Sequence, residues 1–344
     1  MKIDKYFQLA IDKKASDLHL IAGTKPTLRI ASELIAVEDT PLTKTDLAGL
    51  LTELLTKEQF ADFEHERELD FAYSYDNWRF RVNLHFQRGQ IGLAARLIPQ
   101  QIPTPEDLGF SEVMYALTHL NHGLILVTGP SGCGKSTTLA AMIEIINRER
   151  SAHIITIEDP IEFLYTNTKS MIEQREVGED TPSFASALKY VLRQDPNVIL
   201  VGEMRDLETI QAALTAAETG HLVLSTLHTP TAADTVERII DMFEGVRQRQ
   251  VLIQLASTLR AVIAQQLLPT VRGGLVAARE IMLVNPAIAN LIREHRVAQI
   301  ASVIQTSVRD GMVTMEMAVK KLYQDGVISD VVAKHRGSEK GRYF

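Results

Sequence analysis

The chain has 344 residues, 45% hydrophobic and 23% charged, with a net charge of −7. That length favours two domains with separate cores, and the acidic balance argues against a bulk nucleic-acid binder, which presents a basic field. Cys133 is the only cysteine and no apolar run approaches bilayer length, which excludes internal disulfides, cysteine zinc sites and a membrane-spanning helix.

The first residues read as an amphipathic helix over 2–14 and not as a leader peptide, because they lack a long apolar core and a small-residue cleavage site. A short strand, 16–20, follows. Leu47, Leu50, Leu51, Leu54 and Leu55 have helical spacing, and Thr43 can cap that helix. Strand-like runs then cover 69–75, 78–86 and 91–97. In the second, Trp78, Phe80, Val82 and Leu84 alternate with Arg79, Arg81, Asn83 and His85, which describes a sheet with one core face and one polar face. Residues 1–98 therefore form a small α+β domain. Pro99, Pro103 and Pro105 make 99–107 a linker.

Beyond the linker, apolar runs at 124–127, 154–157, 198–201 and 222–224 alternate with helical stretches at 135–149, 183–193 and 208–219. Wholly apolar strands alternating with helices indicate an α/β domain with a parallel sheet covered on both faces. This core is expected over 108–270, with a long helix at 247–268 ended by Pro269. A hairpin turn at 272–274 and helices complete 271–333, and 334–344 reads as a disordered tail.

Gly129, Pro130, Ser131, Gly132, Cys133, Gly134, Lys135 and Ser136 match G-x-x-x-x-G-K-[ST] in full, between an apolar strand and a helix that continues with Thr137. Glycines let backbone N–H groups wrap phosphates, the lysine reaches the β- and γ-phosphates, and the Ser136 hydroxyl suits Mg²⁺. A chance glycine-rich turn lacks that strand-and-helix frame. Cys133 is either a reactive thiol near a helix N-terminus or simply a small side chain that fits, and the second reading is favoured.

Glu158, Asp159 and Glu162 follow the second apolar strand, where a parallel sheet presents its site. Each can orient an attacking water, and each can equally be part of a solvated turn. Glu203 ends the third strand and suits a second carboxylate acting through the Mg²⁺ shell. His221 and His228 bracket the strand 222–227. Without a third ligand they make a poor zinc site, leaving phosphate sensing or a structural role. Arg81, Arg96, Arg193 and Arg205 are candidate phosphate contacts, each weak alone.

Taken in order, Gly129–Ser136, residues 157–162, 174–177 and 200–206, and the run from Ala217 to Thr229 resemble the Walker A, Asp box, Walker B and His box motifs of the secretion-ATPase superfamily. Residues 15–19 and 79–83 resemble its N-terminal domain, so the likeness covers about 1–325. Residues 287–294 resemble the C-terminal element of its type IV pilus retraction branch, with Ala289 in place of an arginine. A single cysteine separates the chain from the assembly branch, which carries a tetracysteine zinc motif.

The resemblance implies a PAS-like N-terminal domain followed by a RecA-like ATPase domain, with ATP and Mg²⁺ between them, in a homo-hexameric ring. It implies Glu162 as catalytic glutamate and Glu203 as the Walker B acid. It implies His221 and His228 as nucleotide sensors, and Arg81, Arg96 and Arg193 as phosphate contacts. Lys189 stands where the family has another arginine, and lysine cannot repeat a bidentate contact. The implied function is a motor for pilus retraction and twitching motility. The implied location is cytoplasmic, at the inner-membrane face against a pilus platform protein, with a second related ATPase as a possible co-worker. The competing readings are a retraction-ATPase paralogue, a nucleotide-gated regulator of a pilus or secretion system, and a nucleic-acid translocase. The acidic charge and the lack of a basic, aromatic-studded surface disfavour the last, so no stable nucleic-acid binding is expected.

Overall fold

The computed structural model describes residues 3–30, 33–76, 78–98 and 101–337. Pro99 and Gln100 of the expected linker, and the tail beyond 337, lie outside the described residues. The chain divides into two compact units, the first running to Gln101 and also taking in Pro160–Leu164, the second comprising Ile102–Asp159 and the chain after Leu164.

In the first unit, α1 (Asp4–Asp12), β1 (Asp17–Ile21), β2 (Thr27–Ile30) and β3 (Glu33–Ala36) are followed by α2 (Lys44–Leu54) and α3 (Lys57–Glu66). The meander β4 (Glu68–Tyr75), β5 (Trp78–Gln87) and β6 (Gln90–Ile98) completes it. Each helix of the middle pair starts at a capping box. Thr43 and Asp46 exchange side-chain and backbone hydrogen bonds at α2, and Thr56 and Gln59 do so at α3. Among the described residues the strands form one antiparallel sheet in the order β3-β2-β1-β6-β5-β4. The expected alternation on β5 is present, with Phe80, Val82 and Leu84 fully buried and Arg81 exposed. Phe7 of α1 closes the core by packing on Phe80 and Tyr73, with ring centroids 4.6 and 4.8 Å away.

The second unit opens with α4 (Glu112–Leu117), β7 (Gly123–Thr128), α5 (Lys135–Glu149), β8 (His153–Glu158), β9 (Met171–Glu176) and α6 (Phe184–Val191). It continues with β10 (Val198–Val201), α7 (Leu207–Glu218), β11 (Leu222–Leu227), α8 (Ala232–Asp241), α9 (Gly245–Thr258), β12 (Leu259–Pro269) and β13 (Leu275–Leu283). Helices α10 (Pro286–Arg293), α11 (Ile300–Thr306), α12 (Met315–Gln324) and α13 (Asp330–Gly337) follow. Among the described residues its strands form one sheet in the order β13-β12-β7-β11-β10-β8-β9, parallel except for β13. Alternate residues serve opposite faces. Leu124 and Leu126 of β7 join the core under α6–α11, while Ile125 and Val127 join the core under α4 and α5. This is the three-layer plan expected of apolar strands alternating with helices.

Three expectations need correction. The helix foreseen over 247–268 stops at Thr258, and Leu259–Pro269 is a strand hydrogen-bonded to β7 on one side and β13 on the other. Its run Ala261, Val262, Ile263 and Ala264 is buried throughout, and a continuous apolar run satisfies a helical period and a two-sided strand equally. The stretch after the hairpin turn, foreseen as helical from its start, begins with the strand β13. The chain end foreseen as disordered from 334 is helical as far as Gly337.

Candidate nucleotide site

The site is built where β7 hands over to α5. Gly129, Gly132 and Gly134 all have positive φ (139°, 76° and 86°), a backbone course open to glycine. At Gly129 space decides as well, since a Cβ there would sit 2.3 Å from the Gln265 carbonyl oxygen and 2.7 Å from Cys133 Sγ. Helix α5 starts at Gly134 with no side chain capping it. Its first-turn N–H groups therefore lie beside the loop with the positive end of the helix dipole, an arrangement suited to an anion.

Lys135 lies back over the loop, its ammonium donating to the carbonyls of Gly129 at 3.0 Å and Pro130 at 3.1 Å. Ser136 and Thr137 are half-buried on the same turn. Thr138 faces inward and donates to Gln265 Oε1 at 2.9 Å, and Gln265 Nε2 donates to the Cys133 carbonyl at 2.6 Å. Cys133 itself is buried, and that burial pushes its thiol above the ordinary cysteine range despite the nearby Lys135. It is a small side chain that fits, held neutral and weakly nucleophilic.

Two carboxylates stand at the ends of neighbouring strands. Glu158 ends β8, is buried, and accepts from Thr156 Oγ1 at 2.7 Å and Gln174 Nε2 at 3.3 Å. Glu203 follows β10 after Gly202. That corner is fixed by Gly202 N–H donating to Ile157 O, Thr226 Oγ1 donating to Gly202 O and Met204 N–H donating to Thr226 O. Glu203 pairs with Arg205 at 2.7 Å and lies 3.6 Å from His228 Nε2. The other ring nitrogen, His228 Nδ1, is 3.4 Å from Ser131 Oγ in the loop. Glu203, His228 and Ser131 thus form a chain from the end of one strand to the phosphate loop.

The remaining expected residues lie elsewhere. His221 is at the opposite end of β11 from His228, seven residues or about 23 Å away at ~3.3 Å per residue. Its Nδ1 lies 2.9 Å from the Ala216 carbonyl at the C-terminal turn of α7. Within the second unit, then, His221 lies away from the phosphate loop and caps its own connection. Arg193 is exposed in the link between α6 and β10, a segment that lies beside His153 at the start of β8, so it too is on the far edge of the sheet. Lys189 is exposed near that end of α6, over the Tyr190 ring. Arg81, Arg96 and Glu162 belong to the first unit. Arg81 is exposed opposite Arg96 on the neighbouring strand, and Arg96 Nε donates to Asp17 Oδ1 at 2.9 Å. Burial opposes charge on Asp17, but the Ser16 hydroxyl and the Arg96 guanidinium outweigh it and hold its carboxyl below the usual range. Glu162 is half-buried between the buried Ile161 and Phe163. Asp159 is exposed.

Sequence reasoning passed over Gln265 and Thr156. Gln265 lies in the stretch read as helix, and its sole signal was a polar pair interrupting an apolar run.

Among the described residues no helix is long and apolar enough to cross a membrane. The Type II/IV secretion system protein family matches residues 106–335. The chain is similar to the type IV pilus retraction ATPase PilT of Pseudomonas aeruginosa, 45% identical over 98% of each chain. It is similar to the twitching motility protein of Neisseria gonorrhoeae, 45% identical over 92% of this chain and 85% of that one. A crystal structure of the pilus retraction motor PilT with bound ADP superposes with a TM-score of 0.91 at 45% identity, covering 99% of this chain and 98% of that one. The fold is accordingly the expected one, an N-terminal α+β domain followed by a RecA-like ATPase domain.

Proposed function

The chain belongs to the Type II/IV secretion system protein family and is a nucleotide-binding ATPase, and from that premise we propose that it is a Mg-ATP-hydrolysing motor that drives type IV pilus retraction as a homo-hexamer. The observation that carries the chemistry is the chain Glu203–His228–Ser131, which joins a strand-end carboxylate to the phosphate loop. The retraction role follows from full-length likeness to the retraction ATPase.

Lys135 exchanges the carbonyls of Gly129 and Pro130 for phosphate oxygens, so the side chain is already inside the loop when nucleotide arrives. The backbone N–H groups from Gly132 to Ser136 cradle the phosphates, with Thr137 beside them. The Ser136 hydroxyl and the Glu203 carboxylate are hard oxygen donors of the kind Mg²⁺ takes. Among the described residues no three His, Cys, Asp or Glu side chains gather into a cage. Ser136 and Glu203 would hold such an ion, with nucleotide and water completing its shell as is common for Mg²⁺. When bound, it supplies charge neutralisation on the β- and γ-phosphates. Glu158 and Asp159 flank the site at the end of β8. Glu162 orients the attacking water, and His228 reports the γ-phosphate to Glu203 through its two ring nitrogens. Work is delivered to an inner-membrane pilus platform protein from the cytoplasmic side.

The test is to delete the gene in its source organism, image fluorescently labelled pili, and restore either wild type or Glu162→Gln. Pili that extend without retracting, rescued by wild type alone, support the motor. Unchanged retraction in the deletion strain overturns it as principal motor and leaves a paralogue or regulator.

A further inference from the structure

The guanidinium of Arg279 is buried without a carboxylate. It is 7% exposed, and among the described residues no acidic side chain pairs with it. Burial depresses its pKa to about 10. A cation held this way is unfavourable unless its donors are well used. Arg279 Nη1 donates to the Leu108 carbonyl at 2.6 Å, Nε points to Gln265 Oε1 at 3.4 Å, and the group stands 5.5 Å from the Phe110 ring centroid.

The contacts lead to two different parts of the second unit. Leu108 and Phe110 belong to a turn that brings the chain in after the proline-rich segment. That turn is ordered by reciprocal bonds between Thr104 and Asp107 and by Phe110 N–H donating to Pro105 O. Gln265, 1% exposed, leads to the phosphate loop through Cys133 O and to α5 through Thr138. Its amide has one possible orientation. Arg279 can only donate and a backbone carbonyl can only accept, so Oε1 faces Arg279 and Nε2 faces Cys133. The peptide between Cys133 and Gly134 is planar and trans, so its C=O and N–H point in opposite directions. Anchoring the Cys133 carbonyl on Gln265 therefore fixes where the Gly134 N–H points, away from Gln265.

We propose that Gln265 and Arg279 are positioning residues, a relay that sets the phosphate-loop peptide for nucleotide and ties its setting to the entry turn at 104–110. The relay rests on the ATPase reading above. Nucleotide accepting from the loop N–H groups tightens the Cys133–Gln265 bond at the other end of the same peptide. Gln265 then draws on Arg279, and Arg279 on the carbonyl of Leu108. Occupancy is thereby registered at the point where the chain enters from the first unit.

The experiment measures binding of a fluorescent ADP analogue, steady-state kinetics, and hydrogen exchange at 104–110 with and without nucleotide, on full-length wild type, Gln265→Met and Arg279→Met. Gln265→Met should weaken nucleotide and raise KM about tenfold, as expected for losing one hydrogen bond of about 1.4 kcal/mol, with kcat reduced less. Arg279→Met should leave affinity within about threefold, since it keeps the Cys133 bond, yet abolish the nucleotide-dependent protection at 104–110. Should Gln265→Met fail to fold, Gln265→Glu keeps an acceptor for Arg279 and Thr138, replaces the donor to Cys133 with an oxygen that cannot donate, and adds a negative charge that the Arg279 guanidinium can pair. Wild-type affinity in a folded Gln265 variant, or no nucleotide effect at 104–110 in wild type, overturns the relay and leaves the ATPase reading standing. If wild type itself binds no nucleotide, the ATPase reading falls and the relay with it.

Discussion

His228 and His221 stand at opposite ends of one six-residue strand, β11, and have unlike surroundings. At the C-terminal end, His228 is exposed between Glu203 and Ser131, beside a helix N-terminus with no side-chain cap. At the N-terminal end, His221 meets the outgoing carbonyls of α7 through Ala216 O and is joined by the Thr219 hydroxyl at 3.2 Å. The difference follows from a parallel sheet with helical crossovers, which places helix N-termini at one edge and helix C-termini at the other. One edge presents donors to an anion, and the other presents carbonyls to a donor. A histidine at the first can sense phosphate, whereas one at the second stabilises a helix end.

Removing the charge at the donor edge has the largest expected effect. Lys135→Ala should lower ATP turnover by about 10²–10³, the scale seen when one preorganised stabilising group is lost. The fold should persist, because the hydrogen bonds of the side chain to the Gly129 and Pro130 carbonyls lie within the loop itself. Phosphate release and thermal melting, read together, check both halves, and near-normal turnover would sink the loop as the catalytic centre.

The histidine pair sharpens the contrast at a smaller scale. His228→Ala should reduce turnover roughly tenfold or more, the range for hydrogen bonds to charged groups. His221→Ala should leave the affinity for an ADP analogue unchanged while lowering stability by about 1 kcal/mol, the scale of a side chain interacting with a helix C-terminus. Titration and urea denaturation on both variants separate the roles. A loss of affinity in His221→Ala equal to that in His228→Ala would contradict the division into edges.

This division was only half legible in the sequence. The rule that a parallel strand presents its C-terminal end to the site favours His228, but the symmetric spacing of the two histidines hides that His221 meets the end of α7. The loop itself was legible, because glycines at three required positions and a lysine with a following serine have few other uses. Four of the parallel strands, β7, β8, β10 and β11, were legible because their apolar runs serve both faces over four to six residues, whereas β9, with Glu173, Gln174 and Arg175, carries no such run. The β12–β13 hairpin was not legible, since Leu252, Leu255, Leu259, Val262 and Ile263 keep a helical rhythm across the true boundary at Thr258. The contacts of β12 with β7 and β13 decide that boundary, and both partners are distant in sequence. Gln265 was lost with it, because a polar residue on a supposed helix reads as solvent-facing and only the pairing turns it onto the loop.

The hairpin also supports the donor edge from beneath, through Glu280. Its carboxylate accepts from Ala232 N–H at 2.9 Å and Met315 N–H at 3.4 Å, the first residues of α8 and α12. Helix α8 begins four residues after His228, so this anchor holds the segment carrying that histidine. Burial pushes the Glu280 carboxyl above the usual carboxylate range, and the two N–H donors offset this only in part. With a raised folded-state pKa, the native protein holds more protons than the unfolded chain between the ordinary glutamate value and the raised one. Glu280 therefore lowers stability as pH rises through that window, and above it the loss is complete. Glu280→Gln keeps one acceptor and cannot ionise, so it should lose this contribution. The stability of wild type relative to the variant should be highest at the acidic end and fall towards neutral pH, measured as the difference in urea midpoints. A difference that stays flat, or that rises with pH, would mean that the two backbone donors outweigh burial and that Glu280 is a stabilising anion under α8.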